Sequence, residues 1–594
     1  MWSSFRKFKK LFSARQKRQL VILFFLMLLG AFLEILGVSL IVPLVSVVMQ
    51  EDIINTNPLI GDICRMLHIQ SNRGFLIFCV LFLIFVFIFK DLYLVFEIYV
   101  QNRFVYNNRF RMQQRLMDAY LNKGYEYYLN ASSGEIVRVV QQDVSNAFFL
   151  LSSLLNFATE SVVSLALVVV VFIINPLMTL LVGVILMLTM FLIAKVAKPM
   201  LHRQGKILQE SAAQTNKWLL QMVNGIKEIM VGDKRGFFLD NFSRHGQRMV
   251  RAERWNILLQ NVPRLLIEMS SIVSMLLALL AAVLLGASVS ALVPTIAAFA
   301  MAALKLMPSA NRISTALNGV AYYEPSLDKL FLSLSSVGED KPGENIQNKS
   351  DNNFIEEWRQ NRGDSGKQVF SLEHEVRACS ISYCYPGTEQ PVLKEADMLI
   401  PIGKSVGIVG ASGAGKTTAV DIILGLLSPQ SGEIFADGVP VREHYTDWLA
   451  HIGYIPQMIF MLDDTIKANV AFGIAQDLVE EAQVWRALEE AQLADFVRGL
   501  PEGLDTVIGE RGIRLSGGQR QRIGIARALY PNPELLFFDE ATSALDTETE
   551  AAIMESINRL HGKKTLVIIA HRLATIADCD MVYRVGEGKI VQER

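Results

Sequence analysis

The sequence predicts a six-pass α-helical membrane domain followed by an α/β domain of the P-loop type. Three observations carry that expectation. Apolar, charge-free runs long enough to cross a bilayer are confined to the first half of the chain. A polar stretch rich in Gly, Asn, Asp, Glu and Ser, from about Val337 to Lys367, separates the halves. Beyond it, short β-type runs alternate with helical patterns, and the first run considered, Ser405–Val409, leads into a glycine-rich loop.

The chain has 594 residues, more than one ordinary soluble domain holds. It is 51% hydrophobic and 19% charged, with a mean hydropathy of +0.32, which excludes an intrinsically disordered chain. The 57 basic and 58 acidic residues nearly cancel, so no global case exists for a nucleic-acid binder. Cys64, Cys79, Cys379, Cys384 and Cys579 form no CxxC and no even framework, which points away from a disulfide scaffold or a zinc site.

The first pass falls at about 20–49, apolar apart from Glu34, and the second at about 74–100. Residues 161–194 carry no charge and break near Asn175-Pro176, giving a third pass at 146–174 and a fourth at 177–198. Residues 269–304 break at Gly286-Ala287-Ser288, giving a fifth at 263–286 and a sixth at 290–312. Arg6, Lys7, Lys9, Lys10, Arg15, Lys17 and Arg18 precede the first pass, and 99–147 and 195–264 are also rich in Lys and Arg. By the positive-inside rule both termini and these two long loops are cytoplasmic. The first apolar run is too long for a secretory signal and lacks a small-residue cleavage site. The two long loops keep helical periodicity and read as membrane helices continued into the cytoplasm. The expected boundaries are thus a membrane domain at 1–336, a linker at 337–372 and a nucleotide-binding domain at 373–594.

In the second half Ser405–Val409, Leu535–Phe538 and Thr565–Ala570 read as buried strands. The first feeds Gly410-Ala411-Ser412-Gly413-Ala414-Gly415-Lys416-Thr417 and an apolar helix from Thr418, the GxxxxGK[ST] pattern in strand–loop–helix context. Glycines let backbone N–H groups converge on phosphates at a helix N-terminus, Lys416 adds a point charge at the β/γ-phosphates, and Thr417 ligates Mg²⁺. The second strand ends in Asp539, a further Mg²⁺ organiser, with Glu540 placed to polarise the attacking water.

Between these motifs lies Leu515-Ser516-Gly517-Gly518-Gln519. The pentapeptide alone could be a helix cap after a turn. In this order it resembles the signature of the ABC transporters. The resemblance implies that Tyr385 stacks on adenine, Gln457 touches Mg²⁺ and senses the membrane domain, Asp546 belongs to the D-loop of Ser543-Ala544-Leu545-Asp546, and His571 is the switch histidine at the γ-phosphate. It makes Glu540, His571 and Lys416 the catalytic residues of an ATP hydrolase that needs ATP and Mg²⁺. It also implies a half-transporter working as a dimer with a second copy of itself, Ser516 and Gly518 acting on the partner's nucleotide. In the membrane half, Ser133-Gly134-Glu135-Ile136 with Arg138 and Asp143-Val144 resembles the first coupling loop of exporters, and Gly225–Ile229 through Phe242 the second.

The stretch Lys305–Ile313, followed by Tyr322-Tyr323 and Ser326-Leu327-Asp328, is similar to the lipid-linked oligosaccharide flippases, as is Ile60–Gln70 to their short external helix. That resemblance implies a polyprenyl-pyrophosphate glycan as substrate, within the inner (cytoplasmic) cell membrane. Lys90, Arg264, Lys305 and Arg312, inside or at the edge of passes, are the candidates for an anionic head group. Snorkelling to the interface, or pairing with Glu34, is the competing account of these cations. An exporter of hydrophobic small molecules, drugs or other lipids remains open. No Cys/His peptidase-like segment precedes the first pass, so a peptide-processing exporter is not expected.

Overall fold

The computed structural model describes residues 2–39, 72–131, 133–174, 176–284, 289–337, 372–388, 390–539, 547–570 and 576–594. It divides into two compact units, one of residues 1–123 and 132–347, the other of residues 124–131 and 348–594.

The first unit is helical. Trp2–Leu11 (α1) and Ala14–Ser39 (α2) are followed by Asn72–Leu121 (α3), which is 50 residues long. A helix of that length extends about 75 Å, while the hydrocarbon core is about 30 Å thick. Polar residues in its C-terminal half are the consequence of leaving the bilayer. Tyr125–Asn130 (α4) counts with the second unit. Ser133–Arg138 (α5) and a π turn at Val139–Asp143 lead into Val144–Ile174 (α6). Pro176–Asn224 (α7), Ile226–Val231 (α8), Arg235–Leu284 (α9) and Val289–Val337 (α10) complete the unit. Asn175 and 285–288, where the sequence places its short turns, lie outside the described residues. The expected passes lie on α2, α3, α6, α7, α9 and α10, with residues 40–49 of the first outside the described region.

Within this unit α7 packs along α9, α6 along α10, and α2 against both α3 and α6. Large apolar side chains such as Phe25, Phe85, Val95 and Phe191 remain exposed on these helices. In water such surface would collapse; facing lipid tails it has no reason to. By length and hydropathy, Ala14–Leu36, Arg73–Leu121 and Gly134–Val169 suffice to cross a membrane, and Gly183–Ile193 and Leu265–Ser274 are shorter apolar segments.

The second unit is built on two sheets. Glu375–Tyr383 (β1), Leu393–Pro401 (β2), Ser431–Ala436 (β4) and Val439–Pro440 (β5) form an antiparallel sheet in the order β2-β1-β4-β5. The main sheet contains Ser405–Val409 (β3), Ile452–Ile455 (β6), Leu535–Asp539 (β7), Thr565–Ile569 (β8), Met581–Gly586 (β9) and Lys589–Gln592 (β10), ordered β10-β9-β3-β8-β7-β6. β3 lies parallel between β8 and β9, with Val406 opposite both Val567 and Met581. β3, β7 and β8 are buried along their whole length. Strands covered on both faces read as continuous apolar runs, the pattern that reveals them in the sequence. Besides α4, the α-helices of this unit among the described residues are Lys416–Ile423 (α11), Tyr445–Ala450 (α12), Ile466–Val470 (α13), Glu481–Glu490 (α14), Ala494–Arg498 (α15), Gly517–Leu529 (α16) and Thr547–Asn558 (α17).

Candidate nucleotide site

The site forms at the C-terminal ends of parallel strands, where open α/β sheets bind ligands. β3 ends at Val409 and the loop 410–415 turns directly into α11. Two glycines make the turn possible. A Cβ on Gly410 would stand 2.3 Å from the Val585 carbonyl oxygen. Gly415, the residue before α11, has φ 100°, a left-handed conformation that favours glycine, and a Cβ there would meet Val392 at 2.8 Å.

Lys416 opens α11 and is only 4% exposed. Its Nζ donates to the carbonyl oxygens of Gly410 and Ala411 at 3.0 and 3.1 Å. Among the described residues this buried ammonium is held by carbonyls of its own loop, which it can exchange for phosphate oxygens. Thr417, exposed in the first turn, and the loop residues Ser412 and Gly413 face solvent. Thr418 is buried and its Oγ1 hydrogen-bonds the Tyr385 hydroxyl at 2.8 Å. The Tyr385 ring meets Tyr383 edge-on, with centroids 5.2 Å apart. Tyr383 is 1% exposed, so Tyr385 is the member of this pair with a face left for a base.

Asp539 ends β7, separated from β3 by β8, and accepts a hydrogen bond from the Tyr454 hydroxyl at 3.4 Å. Burial, then the Asp539 charge, pushes the Asp421 carboxyl of α11 up to about 6. The same two causes, in the same order, push the Tyr454 phenol upward. A second acid and a phenol thus face Asp539, and the excess of negative charge is what a divalent cation would neutralise. Gln457 follows β6 and is exposed.

Ser516 is the N-cap of α16 and forms a full capping box. Its Oγ accepts from the Gln519 N–H at 3.2 Å, and its own N–H donates to Gln519 Oε1 at 2.8 Å. The signature pentapeptide is therefore also a helix cap. Leu515 and Gly518 are buried while Ser516 is exposed, presenting the helix start outward. Glu540, Asp546 and His571 lie outside the described residues.

Residues 393–543 match the ABC transporter family and residues 20–307 its transmembrane region. An ATP-dependent lipid A-core flippase of Burkholderia orbicola is 30% identical over 83% of this chain and 79% of that protein. The chain belongs to the ABC transporters. The Vibrio cholerae lipid A-core flippase is 41% identical over 39% of the chain and 40% of its own length. A solved bacterial Atm1-family ABC exporter with ATP bound aligns with a TM-score of 0.73 at 21% identity, over 97% of this chain and 94% of that one, a likeness of fold.

The transporter is thus a half-transporter, a helical membrane domain joined to an ATPase, and it couples ATP hydrolysis to transport. The residues present fit ATP and Mg²⁺: a cradle that a Cβ would fill, a lysine at its base, and a buried carboxylate across the sheet end. Asp539 and Thr417 would hold Mg²⁺ with the nucleotide, and the ion would supply positive charge to offset that of the phosphates.

One element escaped the sequence reading. The first loop belongs to the ATPase unit through α4 (Tyr125–Asn130), whereas Ser133–Arg138 and Asp143, the residues matched to the coupling loop, stay with the membrane unit. Glu126 Oε1 accepts from the Tyr383 hydroxyl at 3.4 Å and from the Ser428 N–H at 3.3 Å. Tyr125 lies within electrostatic reach of Asp421, Tyr385 and Asp539. The run Tyr125-Glu126-Tyr127-Tyr128, aromatic inside a basic loop, was the available signal.

The membrane candidates divide. Lys90 is buried, its Nζ 3.0 Å from Asp91 and 4.7 Å from the Phe87 ring centroid, so it already holds its partner on its own helix rather than offering a free charge. Arg312 pairs with Glu160 and donates to Ser309 Oγ at 3.4 Å; Glu160, not Glu34, is its carboxylate. Arg264 and Lys305 lie in α9 and α10, with side chains outside the described set.

Proposed function

We propose that the transporter translocates a lipid-linked oligosaccharide, a polyprenyl-pyrophosphate glycan, across the bacterial inner membrane as a homodimer. The observation that carries this reading is Arg312 on α10: its guanidinium remains about half exposed although paired with Glu160, so it retains donors for a second anion. A phosphate takes a guanidinium fork in two parallel bonds. The motif around it, Lys305–Ile313, supports the same substrate, and the lipid A-core flippases of its relatives support an anionic glycolipid in general. In the dimer, Ser516 and Gly518 act on the partner's nucleotide, Glu540 polarises water, His571 and Asp546 complete the site, and both termini with the ATPase stay cytoplasmic.

The second reading, export of lipid A-core or another lipid, rests on the similarity to the Burkholderia protein over most of both chains. Proteoliposomes carrying fluorescent polyprenyl-pyrophosphate glycan, lipid A-core or an apolar drug separate the two. The proposed function requires glycan transfer, and Arg264→Ala, Lys305→Ala and Arg312→Ala should each lower the number of glycolipids moved per ATP. Equal transfer by all three variants would overturn the head-group role. Glu540→Gln should retain ATP while phosphate release collapses, and Tyr385→Ala should raise the ATP requirement more than it lowers maximal hydrolysis.

A further inference from the structure

Tyr385, the residue read as the adenine stack, is held at its backbone and at its ring by different groups. The backbone sits in a tight turn. The Thr388 N–H donates to the Tyr385 carbonyl oxygen at 3.0 Å, and the Thr388 hydroxyl donates to the same oxygen at 2.9 Å. Pro386 and Gly387, the latter at φ 84°, occupy the two central positions, the residue types that a type II turn favours there. The preceding residue is pinned as well. The Cys384 N–H donates to Gln430 Oε1 at 2.7 Å, and its carbonyl oxygen accepts from Gln430 Nε2 at 2.9 Å.

These bonds fix the main chain but leave the two side-chain torsions of the tyrosine to other contacts. The ring of Tyr383 lies edge-on to that of Tyr385, at 83° with centroids 5.2 Å apart. Tyr383 is itself sealed, 1% exposed, and its hydroxyl donates to Glu126 Oε1 at 3.4 Å. At the tip of the Tyr385 ring, the hydroxyl pairs with Thr418 Oγ1 at 2.8 Å, which ties the turn after β1 to α11. Successive residues of a helix point about 100° apart, so the first turn of α11 divides its tasks. Lys416 reaches back to the Gly410 and Ala411 carbonyls, Thr417 is exposed, and Thr418, 5% exposed, meets the phenol. A β-branched side chain is stiff at χ1, so the Thr418 hydroxyl is a fixed partner rather than a mobile one.

We propose that Thr418 is a positioning residue for the nucleotide base: its hydroxyl holds the Tyr385 ring in the pose that receives adenine. A residue of the phosphate-binding segment thereby sets affinity for the other end of the nucleotide. The proposal rests on the reading of Tyr385 as the adenine stack. A ring immobilised in advance need not be ordered when the base arrives, which for one side chain is worth roughly two- to tenfold in affinity.

The test measures binding, without hydrolysis or transport, on the full chain in lipid nanodiscs with Mg²⁺ present. A fluorescent ATP analogue is displaced by AMP-PNP, which carries adenine, or by inorganic tripolyphosphate, which lacks it. Thr418→Val removes the hydroxyl from one end of the bond and Tyr385→Phe removes it from the other. Tyr385→Phe takes one oxygen from a half-buried ring, so it keeps the test decisive where Thr418→Val folds poorly. Each variant should weaken AMP-PNP binding roughly two- to tenfold and leave tripolyphosphate binding as in wild type. The double variant should be no weaker than either single one, because both remove the same bond. Thr418→Ser, which keeps the hydroxyl, should retain wild-type affinity. Equal losses for both displacers in Thr418→Val, the result of a phosphate contact, overturn the proposal. So do additive losses in the double variant, or unchanged AMP-PNP affinity in Tyr385→Phe. Tyr385→Ala separates the positioning from the stack. Adenine affinity lost there but kept in Tyr385→Phe refutes the positioning alone, whereas no loss in Tyr385→Ala removes the stack and the positioning together.

Discussion

Arg527 offers a sharp test of how the signature helix holds the segment after Gln457. Its Nε donates to the Asn469 carbonyl at 2.8 Å, one terminal nitrogen to the Phe460 carbonyl at 2.7 Å, and the other to Asn469 Oδ1 at 3.2 Å. The guanidinium carbon lies 4.5 Å from the Phe472 ring centroid. Asn469, fully buried, in turn grips both backbone groups of Leu462 at 2.9 and 3.1 Å. One side chain on α16 therefore fixes residues 460–462, just beyond Gln457. Burial pushes the Arg527 guanidinium down to about 10, the signature of a desolvation cost. That cost is roughly 2 kcal/mol once the part of the group still in water is discounted. Three hydrogen bonds to a charged donor are worth roughly 1.5–3 kcal/mol each, so hydrogen bonding wins. Such contributions do not add fully, and Arg527→Ala should cost about 2–4 kcal/mol. For a unit of this size that lowers the ATPase unfolding midpoint by roughly 4–16 °C. Differential scanning fluorimetry of the detergent-solubilised full chain reads it directly, with ATP hydrolysis falling in parallel as the Gln457 segment loosens. Arg527→Lys should recover little, because an ammonium cannot reproduce the planar fork. A midpoint within a degree of wild type for Arg527→Ala would refute the reasoning.

Three further outcomes follow from the same geometry. Lys416→Ala removes the ammonium at the base of the loop and should abolish high-affinity binding of a fluorescent ATP analogue while the fold persists; unchanged affinity would contradict the phosphate role. Asp580 accepts from the Ser405 N–H at 2.9 Å and its hydroxyl at 3.0 Å, bonds that hold its carboxyl below the ordinary range. Its stabilisation is therefore present above the ordinary carboxylate pKa and is lost as pH falls through the lower folded-state value. Asp580→Ala should lower stability at neutral pH by about 1–2 kcal/mol, and the difference from wild type in thermal scans should shrink in acid. Burial pushes the Cys579 thiol up to about 11. Peptide mapping after iodoacetamide treatment at neutral pH should find Cys579 unmodified until the protein is denatured.

The sequence by itself determined the two-part architecture and the nucleotide loop. Both signals are local: charge-free runs answer to bilayer thickness, and Gly410–Thr417 is one continuous strand–loop–helix segment. The buried strands were legible for a related reason, since cover on both faces imposes an unbroken apolar run on residues such as Leu535–Phe538. Leu515–Gln519 was legible twice, as a family signature and as the cap that its Ser516–Gln519 box turned out to be. Pairings between distant segments were not. That Glu160 rather than Glu34 meets Arg312, that Lys90 turns to Asp91, and that Tyr383 is sealed while Tyr385 keeps a free face depend on which helices and strands adjoin. Nor does spacing reveal that α4 counts with the ATPase, or that Gly30 admits the Glu97 carboxyl between α2 and α3. Periodicity gives each helix its faces, but only packing decides which face another helix covers, and so which charges are left without a partner.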